Sequence, residues 1–144
     1  MDESILSALK SELDGIDENS LTGKILNCLS LLRQNMPDGA WVGFYLDTGN
    51  HLSLSYFQGT PACEIIAYGK GVVGTCFQTG NEQIIDDVHA FSGYICCDET
   101  AASEYCARVG KAVFDVDYPK GKLVRDDVAI LRQAALLLGQ YLRH

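Results

Sequence analysis

Two cysteines stand in glycine-bearing loops rather than inside apolar helices or strands. Cys63 closes the stretch Phe57-Gln58-Gly59-Thr60-Pro61-Ala62-Cys63, and Cys97 lies in Gly93-Tyr94-Ile95-Cys96-Cys97-Asp98. Acidic and aromatic residues lie near both in sequence. A structural cysteine is usually packed in an apolar element, whereas a reactive one needs access and a shaped pocket. Two loop cysteines in an otherwise ordinary globular composition point to thiol redox chemistry.

Glu104, Asp115 and Asp117 form a second constellation. Residues 103–109 and 112–117 read as two strands joined by a tight turn at Gly110-Lys111. Strand side chains alternate with period two, so Asp115 and Asp117 share one face. The hairpin brings Glu104 to its open end, beside them. The three acids then either converge on a site or line a solvated sheet edge. Val113, Phe114 and Val116 interleave with them, which implies an ordered strand. Clustered carboxylates repel one another, so one keeps its proton near neutral pH. A neutral acid can donate to an oxyanion-like oxygen, and an ionised neighbour can hold an ammonium group. Such a set suits a small zwitterion bearing a polar oxygen. The same negative charge raises a thiol's pKa, so the substrate must supply part of the activation. Trp41, the single tryptophan, and Tyr45 share a strand face across Gly43, which leaves space between the rings. They are either sheet packing or an apolar wall for a small side chain.

The other cysteines read as packing. Cys28 lies beside the apolar stripe of a helix, Cys76 in a short helix and Cys106 in a strand. The six cysteines include no C-x-x-C pair, and His51, His89 and His144 are scattered, so no metal site is expected. Gly69-Lys70-Gly71-Val72-Val73-Gly74 matches a dinucleotide-binding pattern. However, its helix would end at Gly80 and no parallel βαβ unit surrounds it, so a tight turn into a short helix is expected instead.

The elements that must position these residues follow from periodicity. Residues 2–14 and a segment capped by Ser20 read as helices. Their apolar stripes are Ile5, Leu6, Leu9 and Leu13, then Leu21, Ile25, Leu29 and Leu32. Strands are expected at 41–46, 52–56, 64–68, 83–85, 103–109 and 112–117. A short helix is expected at 71–79 and a terminal helix at 125–143. Residues 86–98 form a long irregular stretch of the kind that carries function. Hairpin-linked strands imply a largely antiparallel sheet, and helices from both chain ends can cover one face, giving an α+β fold. The 144 residues suffice for a single domain, 1–144, with a real core. A net charge of −8 without a basic cluster argues against nucleic acid and anionic lipid as partners. No run of ~18 apolar residues is present to span a membrane. The acidic start Met1-Asp2-Glu3-Ser4 lacks signal-peptide character, so a cytoplasmic location is expected.

Read in order, several stretches resemble the free methionine-(R)-sulfoxide reductases, a branch of the GAF-domain family. They are 41–46, 57–63, 68–75, 87–91, Cys97-Asp98, Ser103-Glu104 and Asp115-Val116-Asp117. The resemblance implies a six-stranded GAF sheet backed by helices and a homodimer. It implies reduction of free, not peptide-bound, methionine (R)-sulfoxide, without metal or organic cofactor. It assigns sulfoxide attack to Cys97 and resolution to Cys63. The disulfide between them would be reduced by a thioredoxin-like dithiol. It places substrate recognition on Glu104, Asp115 and Asp117, with Trp41 and Tyr45 as the aromatic wall and Glu104 as proton donor. The chain departs from the family pattern in five places. Val73 replaces a third cysteine, Tyr94 a histidine and Ala102 an asparagine, the stretch between Glu104 and Asp115 is shortened, and Tyr105-Cys106-Ala107-Arg108 stands where the family has an apolar strand after Ser-Glu. A non-catalytic GAF module that senses a small ligand or redox state is the alternative.

Overall fold

In the computed structural model, which describes residues 1–97 and 99–142, six strands form one antiparallel sheet in the order β3-β2-β1-β6-β5-β4. The strands are β1 (Trp41–Asp47), β2 (Leu52–Gln58), β3 (Ile65–Ile66), β4 (Gln83–Ile85), β5 (Ala101–Val109) and β6 (Ala112–Pro119). The helices are α1 (Ser4–Leu13), α2 (Leu21–Gln34), α3 (Gly71–Thr79) and α4 (Val128–Gly139). The sheet and its helices form the α+β architecture expected from the sequence. No helix of the described residues is long and apolar enough to cross a membrane.

The alternation along the central strands assigns a different chemistry to each face. Val42 and Phe44 of β1, Tyr105 and Val109 of β5, and Phe114, Val116 and Tyr118 of β6 point to one side. They meet Leu9 of α1, Ile25 and Leu29 of α2, and Leu131 and Leu138 of α4, all buried. Each large aliphatic side chain removed from water there contributes about 1.5–3 kcal/mol. The intervening residues face the opposite way. Trp41, Tyr45, Val113 and Cys106 pack with Val72, Val73, Cys76 and Phe77 of α3, forming a smaller core with the site at its rim.

Several boundaries differ from the sequence expectation. The strand expected over 64–68 shrinks to Ile65–Ile66, because β3 pairs with β2 only through Leu52 and Ser53. The terminal helix begins at Val128, after a 3-10 turn at Val124–Asp127. It ends at Gly139, short of the expected Arg143, which itself lies outside the described residues. Asp127 accepts from the Tyr118 hydroxyl at 2.7 Å, which ties this turn to β6. Ser20 stands at the α2 N-cap position, but its hydroxyl accepts from the Asp17 amide instead of an α2 amide.

Candidate active site

The hairpin register places the acids. Val109 pairs with Ala112 around the Gly110-Lys111 turn, so Glu104 lies opposite Asp117 and Cys106 opposite Asp115. On the other side of β6, Trp41 pairs with Asp117 and Gly43 with Asp115. Two cross-strand rows therefore face the same side of the sheet. One runs Trp41, Asp117, Glu104, Ile85, and the other Gly43, Asp115, Cys106, Gln83. The shortened hairpin leaves the three carboxylates together.

Gly43 does not leave the space expected of it. A Cβ there would lie 2.8 Å from the Trp41 ring, 2.5 Å from Phe57 Cβ and 2.8 Å from the Tyr56 carbonyl oxygen. The glycine is filled by its neighbour's indole, which leans across it and stacks on Phe57 at 5.4 Å. Trp41 Nε1 donates to the Thr60 carbonyl at 2.9 Å, and the Tyr45 hydroxyl donates to the Cys63 carbonyl at 2.8 Å. The aromatic pair thus anchors the loop that carries Cys63.

A cavity opens above these rows, lined by Trp41, Tyr45, Cys97, Glu104, Asp115 and Asp117. Lys70, Gly71, Val72 and Val73 of the α3 N-terminus form another wall, and Tyr94 and Ile95 form the roof. Cys97 is disulfide-bonded to Cys63, with Cα atoms 5.1 Å apart across a sequence separation of 34 residues. The bond straps the 91–97 loop to the 58–63 loop. In this disulfide-closed form the cavity is narrow, about 30 Å³, enough for one or two waters. All seven residues singled out from the sequence meet here, six in the cavity wall and Cys63 through its bond to Cys97. Asp98 lies outside the described residues.

The electrostatics follow from burial. Glu104 and Asp115 are 5% and 4% exposed. Desolvation pushes Glu104 well above the usual carboxyl range, and the charges of Asp115 and Asp117 push it further. Desolvation raises Asp115 too, opposed by hydrogen bonds from Glu104, Cys106 and the Val116 amide. The proton of the pair therefore sits on Glu104, which donates to Asp115. Burial foremost, then the acids, also hold the Tyr94 phenol in its protonated form. The site offers a neutral carboxylic acid, an ionised carboxylate and a thiol pair around one apolar-walled pocket.

Sequence reasoning missed three contributors. The sequence marks Cys106 as strand packing, yet its Sγ lies 3.1 Å from Asp115 Oδ1 and 3.4 Å from Glu104 Oε2. The signal was available: position 106 follows Glu104 by one strand period. The sequence predicts a turn into a short helix at the α3 N-terminus, and the structure has one. What was unread is that its first-turn amides, which have no intrahelical acceptor, border the pocket. Tyr94 and Ile95 lie in irregular backbone, where no periodicity marks a facing side.

The fold and site define a GAF-type domain with a thiol pair at the mouth of an acidic pocket. No family model matches the chain. Free methionine-R-sulfoxide reductase of Saccharomyces cerevisiae is 34% identical over 130 residues, 80% of this chain and 72% of that protein. The reduced form of fRMsr of Staphylococcus aureus superposes with a TM-score of 0.79 at 30% identity, covering 94% of this chain and 92% of that one. Free methionine-R-sulfoxide reductase from Neisseria meningitidis in complex with its substrate gives a TM-score of 0.76 at 26% identity, over 96% and 86% of the two chains. The chain belongs to the free methionine-R-sulfoxide reductase family.

Proposed function

We propose that the protein reduces free L-methionine (R)-sulfoxide to methionine with Cys97 as nucleophile and Cys63 as resolving thiol. The observation that carries this reading is the Cys63–Cys97 disulfide at the mouth of a pocket that also holds the Glu104–Asp115 pair. The substrate's ammonium group is held by Asp115 and Asp117. Its carboxylate is held by the unpaired amides at the α3 N-terminus, where the helix dipole favours an anion. Trp41 and Tyr45 enclose the apolar side chain.

Cys97 attacks the sulfoxide sulfur. The attack forms an S–S bond while Glu104 donates its proton to the sulfoxide oxygen; the resulting hydroxyl then passes to Cys97 Sγ as the S–S bond breaks, which releases methionine and leaves Cys97 as a sulfenic acid. Because Glu104 is neutral, Cys97 faces less negative charge than three ionised carboxylates would impose. Cys63 then attacks the sulfenic sulfur, expelling water and forming the disulfide. A thioredoxin-like dithiol restores both thiols and becomes a disulfide itself. The chain's residues need no metal or organic cofactor for any of these steps. The working assembly is a cytoplasmic homodimer.

The test is a coupled NADPH–thioredoxin assay on the separated R and S epimers of free methionine sulfoxide, with folded, fully reduced protein. Turnover confined to the R epimer supports the proposal, and absence of R-specific turnover overturns it. Ligand-dependent thermal stabilisation without sulfoxide consumption would instead identify a sensor module.

A further inference from the structure

The buried thiol of Cys106 has no part in the thiol cycle, yet it lies against the carboxyl pair. It sits one strand period from Glu104 and directly across the ladder from Asp115. It is fully buried, and its Sγ is 3.1 Å from Asp115 Oδ1 and 3.4 Å from Glu104 Oε2. Asp115 and Glu104 are the acceptors in these contacts, so the thiol serves as donor. The shorter contact, to Asp115, takes its single proton.

We propose that Cys106 is a positioning residue that holds Asp115 in its ionised form, leaving the shared proton on Glu104. The inference rests on the proposed binding of the substrate ammonium by Asp115. An ionised buried carboxylate needs donors to replace lost water. Asp115 has three: the Val116 amide, the Glu104 carboxyl and the Cys106 thiol. The backbone amide is fixed. The Glu104 carboxyl is the group whose proton the chemistry consumes. The thiol is the one side-chain donor of the three that keeps its proton throughout, since burial and the two acids hold it protonated. It therefore keeps Asp115 charged at the moment Glu104 gives up its proton.

The groups around the thiol are known from each element packed against it. They are Glu104 on β5, Asp115 and Asp117 on β6, Tyr45 on β1 and Cys76 on α3. Cys76 is itself buried, its thiol pushed up to about 12, so it supplies no charge near neutral pH. The donor contribution of Cys106 is thus separable by substitution.

Two variants distinguish a donor from a filler. Cys106→Val keeps the volume and removes the donor. Cys106→Ser keeps a donor and is the poorer apolar filler. If the thiol positions charge, Cys106→Val moves the acid limb of kcat/KM upward by about half to one pH unit, the size expected for one lost hydrogen bond. It raises KM at pH 6 more than it lowers kcat, and Cys106→Ser leaves the limb in place. If the thiol only packs, Val is neutral, Ser is the damaging change, and the inference is overturned. A carboxyl titration by infrared difference spectroscopy on the reduced, substrate-free protein reads the same shift without turnover. A Val-specific upward shift there, in a protein with no R-sulfoxide activity, would reject the proposed reaction and keep the role of Cys106. Equal carboxyl titration in both variants would reject that role.

Discussion

The hydroxyl of Tyr45 donates to the carbonyl oxygen of Cys63 at 2.8 Å. One residue thus lines the acidic cavity and also holds the loop that carries Cys63, the proposed resolving thiol. Tyr45→Phe keeps the wall and leaves that carbonyl without its partner. A hydrogen bond of about 1 kcal/mol is lost, so disulfide formation should slow roughly fivefold while the first methionine is released at an unchanged rate. Rapid-quench mass spectrometry of the protein and product separates the two steps. Equal slowing of both would refute the assigned role.

The two cysteines should fail differently. Cys97→Ser is expected to abolish methionine formation. Cys63→Ser should release one methionine per chain and then stall with Cys97 as a sulfenic acid, which a cyclic dione traps with a diagnostic mass gain. Multiple turnovers by Cys63→Ser with a dithiol that reacts only with disulfides would contradict the assignment.

Glu104 opposes stability and activity to one another. Its pKa is raised in the folded protein, so the folded state keeps a proton the unfolded chain releases. Its contribution to stability is whole below the unfolded carboxyl pKa near ~4.3 and is lost as pH rises toward and through the folded value. Glu104→Gln imitates the protonated acid and still donates to Asp115, removing that loss. The variant should melt higher than the unchanged protein at pH 8, by about 2–4 °C per kcal/mol relieved, and no higher at pH 4. Its kcat should drop by roughly 10²–10⁴-fold, the usual worth of a general acid. Calorimetry at the two pH values and steady-state kinetics check both halves.

Gly74 explains why the glycine-rich stretch exists without a nucleotide. A Cβ at this position would lie 2.5 Å from the Ala67 carbonyl oxygen, a backbone atom that cannot swing away. The glycine lets α3 pack against the segment leading into it, which sets the helix N-terminus at the pocket wall. Gly74→Ala should cost about 1–3 kcal/mol of stability by overpacking. It should also raise KM for methionine sulfoxide, because the first-turn amides move. Urea unfolding and a KM measurement on the folded variant test this.

Much of the site was legible because a tight hairpin obeys simple arithmetic. Once the turn is placed at Gly110-Lys111, Glu104 must fall opposite Asp117, and period two brings Asp115 to the same face. The same arithmetic reaches Cys106, which escaped notice because a cysteine among apolar strand residues looks like packing. The wall made by Lys70–Val73 and the roof made by Tyr94 and Ile95 depend on how α3 and the 91–97 loop settle on the sheet. Those are tertiary facts that no local period encodes. Gly43 misled for a related reason: the space beside a glycine belongs to whichever neighbour fills it, here the indole of Trp41.

The narrowness of the disulfide-closed cavity bears on throughput. About 30 Å³ is room for water rather than for a methionine side chain, so the oxidised protein should bind product and substrate more weakly than the reduced one, which calorimetric titration of both forms checks. In the proposed cycle, accumulated methionine would then compete mainly with substrate for the reduced form. In that cycle the electron donor cuts the strap between the two loops, and so sets how many chains are ready to load substrate. Catalytic capacity in a cell would follow the supply of reducing equivalents more closely than the ratio of sulfoxide to methionine.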